Sequence, residues 1–173
     1  MMSKSTPRRK NSPGEVSALL VLQGARDVEN IWLKRVKGNT FEVRTIPFWA
    51  YNLSFGDKVE AAPDEDGDGL FINRVVEKGG NRTVRIAFNT ASGLSTAEAV
   101  KLRKYLDERG LEYEIFEPTM LAVNIPSERE YEQLVERLQT VPSRAKMIAE
   151  DGDPQPNRNL DGSRKRRSSS KRR

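Results

Sequence analysis

The residues best placed to do chemistry stand in DEDGDGLFINRVVE, residues 64–77. Asp64, Asp66 and Asp68 fall at positions 1, 3 and 5 of a calcium loop, with Gly69 at position 6 and Phe71 at the apolar position 8. Position 12 must supply a bidentate carboxylate, and here it is Val75; Glu77 arrives two residues late. An EF-hand also needs a helix on each side. The flanking segments KVEA and LFINRVVEK read as strands, so the acidic run is expected to be the solvated tip of a β-hairpin. No metal site is expected at Asp64, Asp66 and Asp68.

The remaining catalytic vocabulary is sparse. The 173 residues contain no Cys and no His, which removes disulfides, thiolate nucleophiles, imidazole bases and imidazole metal ligands together. No GxxxxGK[ST], GxGxxG or GxSxG is present, and Gly79-Gly80 is a turn signal. Glu112 and Glu114 alternate with Tyr113 and Ile115, which assigns them to the solvent face of a strand, where carboxylates make poor general acids at neutral pH. The expectation is no catalytic residue and no cofactor, with a carboxylate-dependent enzyme as the third-ranked function.

Charge is distributed unevenly. Residues 1–10 hold four Lys or Arg and residues 164–173 hold seven, with no acidic residue in either segment. Taking those eleven positive charges from the net +5 leaves residues 11–163 at −6. The basic ends therefore carry the candidates for phosphate contact: Arg8, Arg9 and Lys10, then Arg164, Lys165, Arg166, Arg167, Lys171, Arg172 and Arg173. Both ends are expected to be disordered, as a basic arm over 1–13 and a basic tail over 151–173. No apolar run approaches the ~20 residues of a membrane span, and the first fifteen residues lack the apolar stretch of a signal peptide. No membrane contact and a cytoplasmic location are expected.

The elements that must position any site follow from periodicity. Strands are expected over VSALLVLQG, IWLKRV, FEVRTI, KVEA and LFINRVVEK, separated by turns at Lys37–Thr40, Gly56-Asp57 and Gly79–Asn81. From residue 83 the pattern changes to strand, helix, strand, strand, helix, strand. Capping boxes at Ser95 with Glu98, and at Ser127 with Glu130, open the two helices. That order is the split βαβ arrangement of ferredoxin-like folds. If Val84, Ile86, Phe88, Leu121, Val123 and Ile125 face the helices, the other sheet face shows Arg85, Ala87, Ala122 and Asn124. It then offers no aromatic platform for stacking bases as an RRM does.

Ile46 to Tyr51 (IPFWAY), Leu53 with Gly56, Asp57 and Val59, then Arg74 to Glu77 and Thr83 to Ile86, resemble a bacterial domain-of-unknown-function family. Its members share I-P-F-F/W-A-Y, L-x-x-G-D-x-V and R-V-V-E, and often have His where this chain has Asn81. The resemblance implies an α+β fold in which a small N-terminal β-barrel-like strand cluster, 14–82, precedes a ferredoxin-like βαββαβ half, 83–150. It implies no activity. The first-ranked function is a non-catalytic binding or regulatory module for a protein partner, such as a toxin-neutralising protein. Its acidic body suits a basic partner surface. Phe48, Trp49, Tyr51 and Asp57 are the partner or pocket candidates, although filling the core would also account for the aromatics. Nucleic-acid association through the basic tails ranks second.

Overall fold

The computed structural model describes residues 12–22, 27–65, 67, 69–116 and 118–153. The expected basic arm apart from residues 12–13, and the expected basic tail apart from residues 151–153, lie outside the described residues with their phosphate-contact candidates. So do Asp66 and Asp68. Residues 151–153, expected to be disordered, are placed, Asp151 in a strand and Asp153 buried. Among the described residues, no helix is long and apolar enough to cross a membrane.

Five strands form the first sheet: β1 (Glu15–Val21), β2 (Val28–Lys37), β3 (Thr40–Val43), β4 (Lys58–Pro63) and β5 (Leu70–Glu77). Each pairs antiparallel with the next, and Leu19 of β1 meets Phe71 of β5, which closes the sheet into a ring. Alternation explains the interior: Ile31 and Leu33 from β2, Phe41 and Val43 from β3, and Val59 and Ala61 from β4 point inward, with Ala18 and Ile72. The acidic run joins β4 to β5 as a hairpin, with the Asp64 N–H bonded to the Gly69 carbonyl at 3.1 Å. Val75 lies in β5 opposite Val59, so the position where a calcium loop would close belongs to a strand.

The second sheet contains β6 (Arg82–Phe88), β7 (Tyr113–Phe116), β8 (Met120–Ile125) and β9 (Met147–Asp151), in the order β7-β8-β6-β9 with every pair antiparallel. Helices α1 (Ala97–Glu108) and α2 (Glu128–Gln139) lie between β6 and β7 and between β8 and β9 in the chain. Leu102 and Leu106 of α1 and Leu134 and Leu138 of α2 share one core with Val84, Ile86, Phe88, Leu121, Val123 and Ile125. Among the described residues the fold is α+β, mostly sheet, with two α-helices.

One local expectation needs correction. Thr96, not Ser95, caps α1, its hydroxyl accepting from the Ala99 N–H at 3.2 Å. Buried Leu94 donates its N–H to the Pro118 carbonyl, which holds 93–95 in a 3-10 turn and moves the start of the helix by one residue. Ser127 does cap α2, accepting from the Glu130 N–H.

The larger correction concerns the second face of the β6–β9 sheet. Arg85, Ala122 and Asn124 are buried and Ala87 is partly buried, so they do not form an open surface. The linker between β3 and β4, residues 44–57, crosses this face and packs Ile46 and Phe48 against Met120 and Ala122. Strand periodicity separates two faces but does not say what covers the second.

Candidate binding site at the seam between the sheets

The linker has no ladder of its own, so its backbone groups must find partners elsewhere. Its turn at 48–50 aims three N–H groups at one carboxylate: Glu29 of β2 accepts from Phe48 at 2.6 Å, Trp49 at 3.2 Å and Ala50 at 2.8 Å. The carbonyls of the same turn go to a cation. Arg85 of β6 donates Nε to the Pro47 oxygen at 3.5 Å and Nη2 to the Ala50 oxygen. One turn is thus gripped through its donors by one sheet and through its acceptors by the other. Burial pushes the Glu29 carboxyl above its ordinary range, while the three N–H donors and the Arg85 charge pull it back.

This grip sets the aromatics. Phe48 is buried against Phe116, with ring centroids 5.7 Å apart. Trp49 meets the same ring edge-on at 5.5 Å but stays 47% exposed. Tyr51 is 61% exposed; its ring lies over the Arg85 guanidinium at 4.6 Å and its hydroxyl donates to Glu150 at 3.1 Å. Arg85 also pairs with Glu150 at 2.8 Å. Beside Trp49 lies a cavity of about 100 Å³ whose lining includes Val28, Phe116, Glu29 and Glu114.

The far end of the linker is fixed by a second buried charged group. Lys78 is 2% exposed. Its ammonium donates to Asp57 at 2.6 Å, to the Asn52 carbonyl at 3.0 Å and to Asp153, which uses all three donors. Asp57 also accepts from the N–H groups of Ser54 at 2.9 Å and Gly79 at 2.6 Å. The Ser54 hydroxyl donates to Asp153 at 2.9 Å and lies 3.1 Å from the Thr83 hydroxyl. Burial raises the Asp57 carboxyl above its ordinary range, opposed by the Lys78 charge and by its hydrogen bonds. The backbones approach so closely that a Cβ on Gly79 would lie 2.6 Å from the Gly56 carbonyl. Any larger residue at 79 would open this end of the seam.

A family model described as a domain of unknown function (DUF4265) matches residues 29–148. The chain belongs to that family. The match begins at Glu29, the carboxylate under the linker turn, and includes Lys78 and Arg85. No curated protein matches this DUF4265 chain. Among solved structures it is similar to a hypothetical protein from Neisseria gonorrhoeae, described as a novel crystal structure. Sequence identity is 16% and the TM-score is 0.62, over 80% of this chain and 94% of the other. That likeness concerns the fold alone.

Of the partner candidates read from the DUF4265 sequence, Phe48 and Trp49 meet on the Phe116 ring and Tyr51 lies over Arg85; Phe48 is buried, while Trp49 and Tyr51 are exposed. Asp57 is fully buried on Lys78 and offers no surface. Glu29, Lys78, Arg85 and Asp153 were missed. A signal for Glu29 was present, since it is in phase with Ile31 and Leu33 and so points to the inner side of β2. Lys78 and Asp153 stand beside turn glycines, where no periodicity marks a buried charge.

Proposed function

We propose that this DUF4265 chain is a non-catalytic binding module for a protein partner, built as a small β-barrel joined to a ferredoxin-like half. Trp49 and Tyr51 form its contact surface. The observation that carries this reading is two large aromatics, 47% and 61% exposed, on a backbone turn held through both its donors and its acceptors by Glu29 and Arg85. Exposed rings on a fixed backbone lose little entropy on binding, and Trp and Tyr are enriched among residues that dominate interface energies. The ferredoxin-like description rests on the sheet order β7-β8-β6-β9 with helices in both crossovers. The barrel description rests on the closed ring. Burial also supports a non-catalytic role, because Asp57 and Lys78 reach no substrate while the seam is closed.

The test is affinity capture with the intact chain, the Trp49→Ala/Tyr51→Ala double variant and nuclease-treated samples. The reading expects a protein that the intact chain retains, that the double variant loses, and that nuclease does not release. Retention by the double variant would place the contact surface elsewhere. Release by nuclease, with a steep salt dependence, would favour association of the basic ends with nucleic acid. The segregation of eleven positive charges into the two ends supports that second reading.

A further inference from the structure

The two edges of the β6–β9 sheet differ. At one edge β7 is four residues long, and its Glu114 reaches the linker, accepting from the Ile46 N–H at 3.1 Å. At the other edge β9 presents Met147, Ile148 and Ala149, none of them charged. The Gly152 N–H donates to the Thr83 carbonyl at 2.9 Å and the Asn89 N–H to the Lys146 carbonyl at 3.0 Å. In an antiparallel ladder with this register, even-numbered residues of β9 bond to β6, while the N–H and C=O groups of Met147, Ala149 and Asp151 point outward. Among the described residues, no strand pairs with that side.

Two further features meet at this edge. On the helix face, a hollow of about 340 Å³ separates α2 from β9, lined by Val84, Tyr131, Leu138, Met147 and Ala149 among others. On the opposite face Ile148 is 60% exposed. Backbone groups with no strand partner among the described residues, an apolar hollow and an exposed isoleucine are together what an added strand would cover.

We propose that a second copy of this chain supplies that strand. The two β9 edges pair antiparallel about a two-fold axis at Ala149 and join two four-stranded sheets into one. The order of charges along the segment argues for self-pairing. Arg144 and Lys146 precede the strand and Glu150 and Asp151 end it; within one chain Arg144 pairs with Glu98, Glu150 with Arg85 and Asp151 with Arg82, so a mate would extend these pairs into a network. An antiparallel mate of the same sequence brings the basic end of each copy to the acidic end of the other, whereas a parallel mate would set like charges together. The axis falls on a residue with only a methyl side chain, flanked by the hollow, so the two α2 helices have room to face each other. The contact is isologous and closes at two copies. It adjoins the Trp49 and Tyr51 surface at Glu150, which accepts from the Tyr51 hydroxyl at 3.1 Å.

The test is sedimentation velocity on the full chain at micromolar concentration, which should give a dimer. Ala149→Pro removes an N–H that points outward, so it should raise the dimer dissociation constant at least about tenfold while leaving the circular dichroism and melting temperature of the monomer close to wild type. If the proline itself disturbs the fold, Ile148→Lys leaves the backbone unchanged and should weaken the dimer in the same direction. Lys146→Glu, which breaks the opposite-charge match, should also weaken it, and by less at high salt. A wild-type chain that is monomeric under these conditions overturns the proposal. So does a dimer whose dissociation constant is the same in Ala149→Pro and Ile148→Lys.

Discussion

At the Phe48 end of the linker a single carboxylate, Glu29, meets three backbone N–H groups. At the Asp57 end two carboxylates meet one ammonium, Lys78. Both sites are buried, and both raise a carboxyl above its ordinary range through desolvation. They differ in what they hold. Glu29 fixes the shape of one turn and so the orientation of Trp49 and Tyr51. The Lys78 group ties three separate pieces of chain together: the end of the linker, the β5–β6 connection and the segment after β9. The first is an anchor for a surface, and the second is a joint for the fold.

That contrast can be broken most forcefully at Lys78. Lys78→Met should cost about 3–5 kcal/mol in urea unfolding, because it leaves Asp57 and Asp153 buried without a cation. Combining it with Asp57→Asn and Asp153→Asn should recover a good part of the loss, since no uncompensated charge then remains. A joint that is mainly electrostatic predicts that recovery; an equal or greater loss in the triple variant would assign the role to shape.

Glu29→Gln should cost less, about 1–3 kcal/mol, because the amide keeps one acceptor oxygen but strands an N–H of the turn. The same variant tests the sign of the titration. A carboxyl whose folded pKa lies above its unfolded value binds more protons when folded. Its contribution to stability is therefore greatest in acid and falls as pH rises from the unfolded value through the raised folded one. Unfolding free energies measured across the range above pH 4.5 should show that fall in the wild type and a shallower one in Glu29→Gln.

The smallest effect on stability is expected at the exposed rings. Trp49→Ala should shift stability by about 1 kcal/mol, since nearly half of the side chain is already in water. Its effect on affinity for the protein partner should reach about 2 kcal/mol or more. A stability loss as large as that of Lys78→Met would return Trp49 to the role of core filler.

Much of the fold was legible because it repeats. Ile31 with Leu33, Val84 with Ile86, and Leu134 with Leu138 carry the strand and helix periods that the two cores obey. Ser127 marks a helix start that depends only on the next three residues. The Ser95 box failed because a distant contact, Leu94 to Pro118, redefined the turn before the helix. The candidate site was legible only in part. IPFWAY could be read as an unusual aromatic segment, but which rings would be buried depended on the sheet that the segment crosses.

Strands, helices, turn glycines, the absence of Cys and His and the segregation of charge into the ends are all local or periodic features of the chain. Which polar residues lie inside depends on long-range packing. Arg85 and Asp57 looked like surface residues because their neighbours in sequence are ordinary. They are buried because the linker folds back over the β6–β9 sheet, and its unladdered backbone requires a carboxylate for its N–H groups and a cation for its carbonyls. That requirement joins residues 29, 48–50 and 85, which no local pattern connects. It follows from the cost of burying a polar backbone group without a partner.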